Sequence, residues 1–378
     1  MCYFQLCNIF AEKFFIHIKY PFLQTVINRK IKHCAGRKRH DKNRQMRVIG
    51  LGNALTDVLA ILNSDECIQE MGLLKGGMQL IDEDKLLKIM AMFEDFDTFM
   101  ASGGSTANTL SGLTRMGIET GFIGKIGHDS YGKFYRKALE NHGIQTHLIE
   151  GDIASGCAMT LITPDGERTF GTYLGAAATL TAEELSPQMF NGYDLLQIEG
   201  YLVQDPHLIR RAVQLAKEAG LRISLDMASY NVIRENHDFF QELIREYIDI
   251  AFANEEEAYA YTGHEAKEAA AILSRECDIA VVKCGSHGSI IQQGDYYTEV
   301  KATKAKCIDS TGAGDLYAAG FLYALSMNLP LETAGKIGSI LSGNVIEVIG
   351  TGMDDKRWDE IKLKVVEILR KYKRVFLP

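Results

Sequence analysis

The sequence contains no two cysteines at C-x-x-C spacing and no cysteine–histidine pattern typical of a zinc site. Its eight cysteines, at positions 2, 7, 34, 67, 157, 277, 284 and 307, are therefore expected to be reduced thiols. A run of about 18 apolar residues, which a membrane-spanning helix requires, is also absent. These absences predict a cytoplasmic protein that binds no zinc and does not have a membrane as its partner.

The chain lacks a balance of charge, because basic residues dominate its first segment and acidic residues exceed basic ones in the rest. Residues 1–45 contain ten Lys and Arg against Glu12 and Asp41, which gives this segment a net charge of +8. Because the whole chain carries −8, residues 46–378 carry −16. A body this acidic repels the phosphate backbone, so nucleic acid is not expected to be the main partner.

The basic first segment also lacks a compact apolar core followed by small residues, so we do not expect a secretory signal. Met46 stands directly before the first strand-like run. We expect residues 1–45 to be a disordered or mis-assigned extension and residues 46–378 to form the folded domain. The alternative is a basic tail that contacts a membrane or nucleic acid.

From Arg47 onward, short apolar runs alternate with segments of helical periodicity. This alternation predicts an α/β fold, with a doubly wound, mostly parallel sheet flanked by helices and a ligand site beyond the carboxyl ends of its strands. The strand-like runs are 47–52, 120–126, 193–200, 222–228, 249–254 and 278–284, and the helical segments include 129–141, 206–219, 231–246 and 265–276.

Two regions interrupt this alternation. Residues 57–81 and 156–174 are typical of strands with no helix between them, and the turn sequence at 164–167, Pro-Asp-Gly-Glu, divides the second region. Strands outside the strand–helix rhythm predict a small additional β-sheet. We expect this sheet to form a lid over the ligand site.

The first strand runs into the glycine turn VIGLGNALTD, residues 48–57. Gly50 and Gly52 fit the first two positions of the dinucleotide motif G-x-G-x-x-G, but the third position is Leu55. Because the match is partial, an NAD-binding dehydrogenase is only an alternative. Motifs elsewhere in the chain have to decide whether this turn belongs to a dinucleotide-binding fold.

The most specific signal is CIDSTGAGDLYAAGFLYAL, residues 307–325. The pattern predicts a strand that ends at Ile308, a loop of small residues, and an apolar helix that begins near Asp315. Gly312 and Gly314 would let successive backbone N–H groups turn toward one point at the positive end of the helix, which makes an anion site. Asp315 beside that site could accept a proton from a substrate hydroxyl during phosphoryl transfer, or it could cap the helix.

The stretch from Asp309 to Asp315, DSTGAGD, resembles the C-terminal signature of the ribokinase-like (PfkB-type) sugar and nucleoside kinases. Other segments are similar to further motifs of that family and occur in the same order, so the resemblance spans about residues 47–352. These segments are Gly103-Gly104-Ser-Thr-Ala-Asn108, FIGKIGHDSYG at 122–132, Asn254-x-x-Glu257, and VKCGSHGS at 282–289.

The resemblance implies a role for each matching residue. Gly312, Ala313 and Gly314 would form the anion hole, with Asp315 as the catalytic base. Lys283 stands where many family members have Thr, and Asn254 with Glu257 also fits a helix-capping box. The substrate-binding set would be Asn53, Asp57, Gly103, Gly104 and Asn108; the nucleotide-binding set Asn254, Lys283, Gly285, Gly288, Asp309 and Thr311; and the metal-binding set Asn254 and Glu257.

The implied activity is phosphorylation by ATP with Mg²⁺. The resemblance also implies a monovalent cation, such as K⁺, as a further cofactor. GNALTDVLA, LLKGGMQLID at 73–82 and RTFGTYLGAAATLTAEEL at 168–185 resemble the bacterial adenosine kinase branch. The expected reaction is therefore phosphorylation of the 5′-hydroxyl of a ribonucleoside, adenosine first, by a monomer or homodimer. A sugar kinase acting on ribose, fructose or 2-keto-3-deoxygluconate is the alternative, and a non-catalytic nucleotide-binding protein is another.

Overall fold

The computed structural model of the protein describes residues 45–92, 98–165 and 167–376, and for residues 78, 168 and 372–376 it describes the backbone alone. The expectation for residues 1–45 therefore falls, except at Gln45, outside the described residues. None of the helices in the described ranges is both long and apolar enough to cross a membrane.

Strands and helices alternate along most of the described chain. The strands are β1 (Val48–Leu51), β2 (Leu55–Ile61), β3 (Met78–Leu80), β4 (Thr98–Gly103), β5 (Thr120–Gly127), β6 (Ile144–Gly151), β7 (Gly156–Ile162), β8 (Arg168–Tyr173), β9 (Leu195–Glu199), β10 (Arg222–Asp226), β11 (Ile250–Asn254), β12 (Ile279–Lys283), β13 (Ser289–Gln293) and β14 (Tyr296–Val300). The helices are α1 (Glu66–Glu70), α2 (Glu83–Met92), α3 (Ser105–Arg115), α4 (Ser130–Asn141), α5 (Pro206–Ala219), α6 (Tyr230–Glu235), α7 (His237–Glu246), α8 (Glu255–Thr262), α9 (Ala266–Glu276), α10 (Ala313–Ser326), α11 (Leu331–Val345) and α12 (Asp355–Phe376).

The main sheet has nine strands in the order β14-β13-β12-β11-β10-β9-β1-β5-β6. The strands from β12 to β6 are parallel to their neighbours, whereas β13 and β14 add an antiparallel edge. This arrangement confirms the predicted doubly wound, mostly parallel sheet. Next to β1 the strand order reverses, because β5 lies on one side of it and β9 on the other.

Helices cover both faces of this sheet, and the strand sequences show why. Along β1, Ile49 and Leu51 join one buried cluster, whereas Val48 joins the cluster on the other face. Along β11, Ala251 contributes to the first cluster and Phe252 to the second. A strand buried on both sides needs apolar residues at every position, so these strands are continuous apolar runs rather than alternating patterns.

The second sheet has five strands in the order β3-β8-β7-β2-β4. Its inner face, with Val58, Ala60 and Met159, packs on apolar residues of α1 and α2. A smaller additional sheet was predicted and is confirmed. One detail of the prediction was wrong, because α1 lies between β2 and β3, where strands without a helix were expected.

Two further elements differ from the sequence pattern. The single helix expected over 231–246 is divided at Asn236, whose Nδ2 donates to the Val232 carbonyl and closes α6. The strand expected to end at Ile308 is not formed, since residues 301–310 contain no strand. Their amides bond to groups on and after α11, because Thr303 N donates to Ser339 Oγ and Ile308 N to the Ile346 carbonyl.

Candidate active site

The carboxyl ends of adjacent parallel strands bring polar side chains to one edge of the main sheet. This edge lies where the strand order reverses around β1, which is where doubly wound sheets bind ligands. Each residue ends its strand or follows it by two positions, so an otherwise apolar run finishes in a polar group. The residues are Asn53 after β1, Glu199 on β9, Asp226 on β10, Asn254 on β11 and Lys283 on β12.

The glycine loop before α10 has the geometry of an anion site. Gly312 is the N-cap of α10 in the left-handed region, at φ +72°, and a side chain there would overlap Thr351. Asp309 orders the loop: its Oδ1 accepts from Thr311 N at 3.0 Å and its Oδ2 from Gly350 N at 2.6 Å. Ala313 N donates to the Ser310 carbonyl at 3.1 Å, and α10 meets the sheet edge at Gly314, beside Lys283. The dipole of α10 favours negative charge at this end of the helix.

Asp315 lies in the first turn of α10 and faces the first turn of α3. Its Oδ1 accepts from Ser105 Oγ at 2.6 Å and its Oδ2 from Asn108 Nδ2 at 2.9 Å. Burial, with a further contribution from Asp226, raises the pKa of Asp315 to about 6. Because Gly312 is the N-cap, Asp315 does not cap its own helix. The carboxylate is instead oriented by a second motif, and it is mostly ionised at neutral pH.

Asp57 reaches the same space from the second sheet. Its carboxylate packs against the Cα of Gly103, where any side chain would overlap it. Burial and the charge of Asp315 raise the pKa of Asp57 to about 7. Gly104, at φ +92°, is the N-cap of α3 and lies so close to the Asn53 carbonyl that a Cβ would be 2.5 Å from its oxygen. The two glycines therefore allow β1, β4 and α3 to meet at Asp57.

Glu199 was not predicted to be a site residue. It is 2 % exposed and accepts three hydrogen bonds, from Asn53 N at 2.9 Å, Asn53 Nδ2 at 2.7 Å and Thr106 N at 3.1 Å. Burial raises its pKa to about 7. Glu199 thus fixes the turn after β1 to the start of α3, and Asn53 is oriented by this carboxylate. The sequence signal for it was an acidic residue at the end of an apolar strand.

Asn254 and Glu257 form the expected capping box at the start of α8. Glu257 N donates to Asn254 Oδ1 at 2.8 Å, and Asn254 N donates back to Glu257 Oε2 at 2.8 Å. Glu257 is 3 % exposed, and burial raises its pKa to about 7, although the charge of Lys283 opposes this shift. The pair therefore presents a buried carboxylate toward Lys283.

Lys283 lies between two acidic residues and the glycine loop. Its Nζ is 2.8 Å from Asp226 Oδ2, a second residue that sequence reasoning missed. Burial disfavours the ammonium charge, but Asp226 and Glu257 outweigh this and raise the pKa of Lys283. A Cβ added to Gly314 would lie 2.9 Å from this Nζ. The structure therefore brings Lys283 next to the first turn of α10.

The turn after Lys283 depends on Gly285 and Gly288, which have φ of +50° and +108°. Cys284 N donates to the Gly288 carbonyl at 2.7 Å, and a side chain on Gly288 would overlap the Val300 carbonyl. The turn leads from β12 to β13 at the same edge of the sheet. The predicted site residues of both sheets and of the glycine loop are thus collected around one region.

Comparisons with known proteins agree with this architecture. Residues 78–357 match the sequence profile of the pfkB family of carbohydrate kinases. A 5-dehydro-2-deoxygluconokinase from Lacticaseibacillus casei is 31% identical over 281 residues, which are 68% of this chain and 84% of the relative. An uncharacterized sugar kinase from Archaeoglobus fulgidus is 29% identical over 241 residues, which are 63% of this chain and 96% of the relative.

Solved structures give the same result. The adenosine kinase from Sinorhizobium meliloti superposes with a TM-score of 0.75 at 30% identity, covering 85% of this chain and all of that one (100%). A probable sugar kinase from Rhizobium etli superposes with a TM-score of 0.75 at 27% identity, covering 85% of this chain and 98% of the other. The resemblance to the PfkB-type kinases found in the sequence is therefore confirmed. The similar proteins include some that are named adenosine kinases and some that are named sugar kinases.

Proposed function

Because the chain belongs to the PfkB family of carbohydrate kinases, we propose that it transfers the γ-phosphoryl group of ATP to the 5′-hydroxyl of a ribonucleoside, with adenosine as the preferred acceptor. The observation that carries this proposal is the position of the Asp315 carboxylate. It lies in the first turn of the helix whose amides form the anion site, and it is close enough to Asp57 to raise the pKa of that group.

In this proposal Asp315 is the general base. The 5′-hydroxyl oxygen forms a bond to the γ-phosphorus as the bond to the β–γ bridging oxygen breaks. The hydroxyl proton passes to Asp315, and ADP leaves. Ser105 and Asn108 hold the carboxylate in one orientation, and a pKa of about 6 keeps it ionised but basic enough to accept a proton near neutral pH. Backbone amides at the start of α10 stabilise the charge on the transferred group.

The acceptor end of the site supports a nucleoside. Asp57 and Leu59 lie on one face of β2, and Leu59 pairs with Phe99 on β4. Phe99 is 61% exposed, and Leu80, on the same face through β8 and β7, is 62% exposed. A carboxylate that can bind two hydroxyls, beside exposed apolar side chains, suits a ligand with a ribose at one end and a flat base at the other.

A small sugar or sugar acid is the second candidate acceptor. The relative from Lacticaseibacillus casei is named for 5-dehydro-2-deoxygluconate, and this chain matches 84% of it. Asp57 could bind the hydroxyls of such a molecule as well. In that case the exposed Leu80 and Phe99 would have no role in binding the acceptor, which is why we place the nucleoside first.

The residues fit a magnesium ion that enters with ATP. Within the described ranges, no three His, Cys, Asp or Glu side chains are grouped so that they could hold a metal ion by themselves. Mg²⁺ typically keeps several waters and is bound by substrate phosphates with one or two carboxylates. Glu257, oriented by Asn254, is the residue that would contact such an ion, most simply through its water. The ion would supply positive charge to the phosphates.

A panel of acceptors tests the proposal. Consumption of ATP is measured with adenosine, inosine, guanosine, ribose, fructose and 5-dehydro-2-deoxygluconate, and the phosphorylated position is identified by ³¹P and ¹H NMR. Adenosine is expected to have the highest kcat/KM and to yield the 5′-phosphate. If any of the three sugars exceeds every nucleoside in kcat/KM, the nucleoside assignment is wrong. Absence of ATP consumption with all acceptors would contradict the kinase assignment itself.

A further inference from the structure

Lys283 has an environment that a simple ion pair does not require. Its ammonium group is held at 2.8 Å by Asp226 and lies within the electrostatic influence of Glu257 and Asp315. Gly314 also lies beside it, and its missing side chain leaves the space that the ammonium group occupies. The lysine therefore lies beside the backbone amides that form the anion site.

We propose that Lys283 is a fixed cation of the active site, whose ammonium group contacts the phosphoryl group in transit together with the amides of the Gly312–Asp315 turn. This inference rests on the proposed ATP-dependent function. It assigns to Lys283 a direct contact with the terminal phosphate of a nucleoside triphosphate, beyond a role in positioning the turn after β12.

The charges around the site explain why a cation is needed there. Asp226, Glu257 and Asp315 are acidic groups that all act on the ammonium group of Lys283. Without the lysine, a polyphosphate would approach these three carboxylates without the ammonium charge that lies beside Asp226. A lysine ammonium has three donors, so it can keep its hydrogen bond to Asp226 and also donate to a phosphate oxygen.

The carboxylates also preserve the charge of the lysine. A buried amine tends to lose its proton, because the low dielectric of the interior disfavours the ammonium form. Here Asp226 and Glu257 outweigh that effect, so the group remains charged. The cation is therefore present before any ligand arrives, which is the preorganisation that stabilises developing charge most effectively.

A purely structural ion pair is the competing explanation, and the chain offers a matched control. Lys217 Nζ is also 2.8 Å from an aspartate, Asp249 Oδ2, at the opposite edge of the main sheet, where β11 begins. Lys217→Met removes a lysine–aspartate pair of the same length far from the glycine loop. It should lower the melting temperature without changing binding of ATP or kcat by more than about twofold.

The experiment compares Lys283→Met, Lys283→Arg and Lys217→Met in the full chain. Melting temperature is measured for each, the Kd of ATP is measured by calorimetry with excess EDTA and with Mg²⁺, and kcat is measured with the best acceptor. For Lys283→Met we expect a Kd without Mg²⁺ raised by about 10-fold or more, from loss of a hydrogen bond to a charged group. We expect its kcat to fall by about 10²-fold, the usual cost of removing one donor to the transition state. Lys283→Arg, which keeps the charge, should recover most of both.

The double variant Asp226→Asn/Lys283→Met separates folding from phosphate contact, because it leaves no unpaired aspartate behind. It should regain melting temperature but not the affinity for ATP in EDTA. If Lys283→Met and Lys217→Met change the Kd of ATP and kcat to the same extent, Lys283 makes no phosphate contact and the inference is overturned. A wild-type protein that binds ATP but phosphorylates no acceptor would contradict the proposed function alone, since the Kd comparison still decides on Lys283. Failure of the wild type to bind ATP would overturn both.

Discussion

Replacing Asp315 by Asn tests the general-base assignment directly. The amide has the size of the carboxylate, but it cannot take the proton from the acceptor hydroxyl. Its oxygen can still accept from Ser105, whereas its NH₂ group would meet the Asn108 NH₂ group, which now bonds to the carboxylate at 2.9 Å. We expect kcat to fall by about 10²–10⁴-fold, the range for loss of a positioned base. The KM values for both substrates should change by only a few-fold, because the interaction is made in the transition state.

The pH dependence gives the same prediction a second readout. Burial raises the pKa of Asp315 to about 6, so the base is lost as the pH falls through that value. Wild-type kcat should therefore decline below about pH 6, and the residual rate of Asp315→Asn should lack this step. Asp205→Asn is the control, because Asp205 caps α5 by accepting from Leu208 N, and Asn caps a helix about as well as Asp. If Asp315→Asn kept more than half of the wild-type kcat, Asp315 would not be the base.

Three further changes test other parts of the site. Asp57→Asn should lower kcat/KM for the acceptor by about 10–100-fold, because it weakens a charge-assisted contact, and it should leave the Kd of ATP unchanged. An equal loss of affinity for ATP would contradict the role of Asp57. Starting the chain at Met46 should leave melting temperature and kcat unchanged, since the first strand begins at Val48; a clear loss of either would show that residues 1–45 contribute. Burial raises the pKa of Glu199 to about 7, so its contribution to stability is lost as the pH rises through that value. The melting temperature of Glu199→Gln should therefore rise relative to that of the wild type between about pH 5 and pH 8. A difference between the two proteins that did not change with pH would show that the charge of Glu199 does not destabilise the fold.

Local patterns predicted the elements whose stability is decided locally. α5 was expected over 206–219 and occurs as Pro206–Ala219, because Asp205 caps its start and Gly220, at φ +83°, ends it. Before the glycine loop the local pattern predicted a strand that ends at Ile308, but residues 301–310 form none. The amides of this segment bond to residues that lie more than 30 positions later, such as Ser339 and Ile346. Whether an extended segment becomes a strand depends on its neighbour in space, which the sequence does not reveal.

The same distinction applies to the site. The glycine loop and Asp315 were predicted because they form one contiguous motif with its own chemistry. Glu199 and Asp226 were missed because each bonds to groups far away in the chain, Asn53 and Lys283, and each is a single acidic residue at the end of an apolar strand. In a doubly wound sheet, however, such an ending is informative, since all parallel strands deliver their carboxyl ends to the same edge.

Burying the acidic residues at this edge of the main sheet costs the ligand-free protein stability. Burial raises the pKa of Asp57, Glu199 and Glu257 to about 7 and that of Asp315 to about 6. Glu199 and Glu257 have structural partners, because Glu199 accepts from Asn53 N and Glu257 closes the capping box of α8. For Asp57 and Asp315, a neutral side chain would remove the cost of burying a charge. An acceptor that brings hydroxyl donors to Asp57 would offset part of this cost when it binds, and the proton that passes to Asp315 would offset a further part during transfer. The burial of Asp57 and Asp315 beside one another is therefore better explained by what the site binds than by how the chain folds.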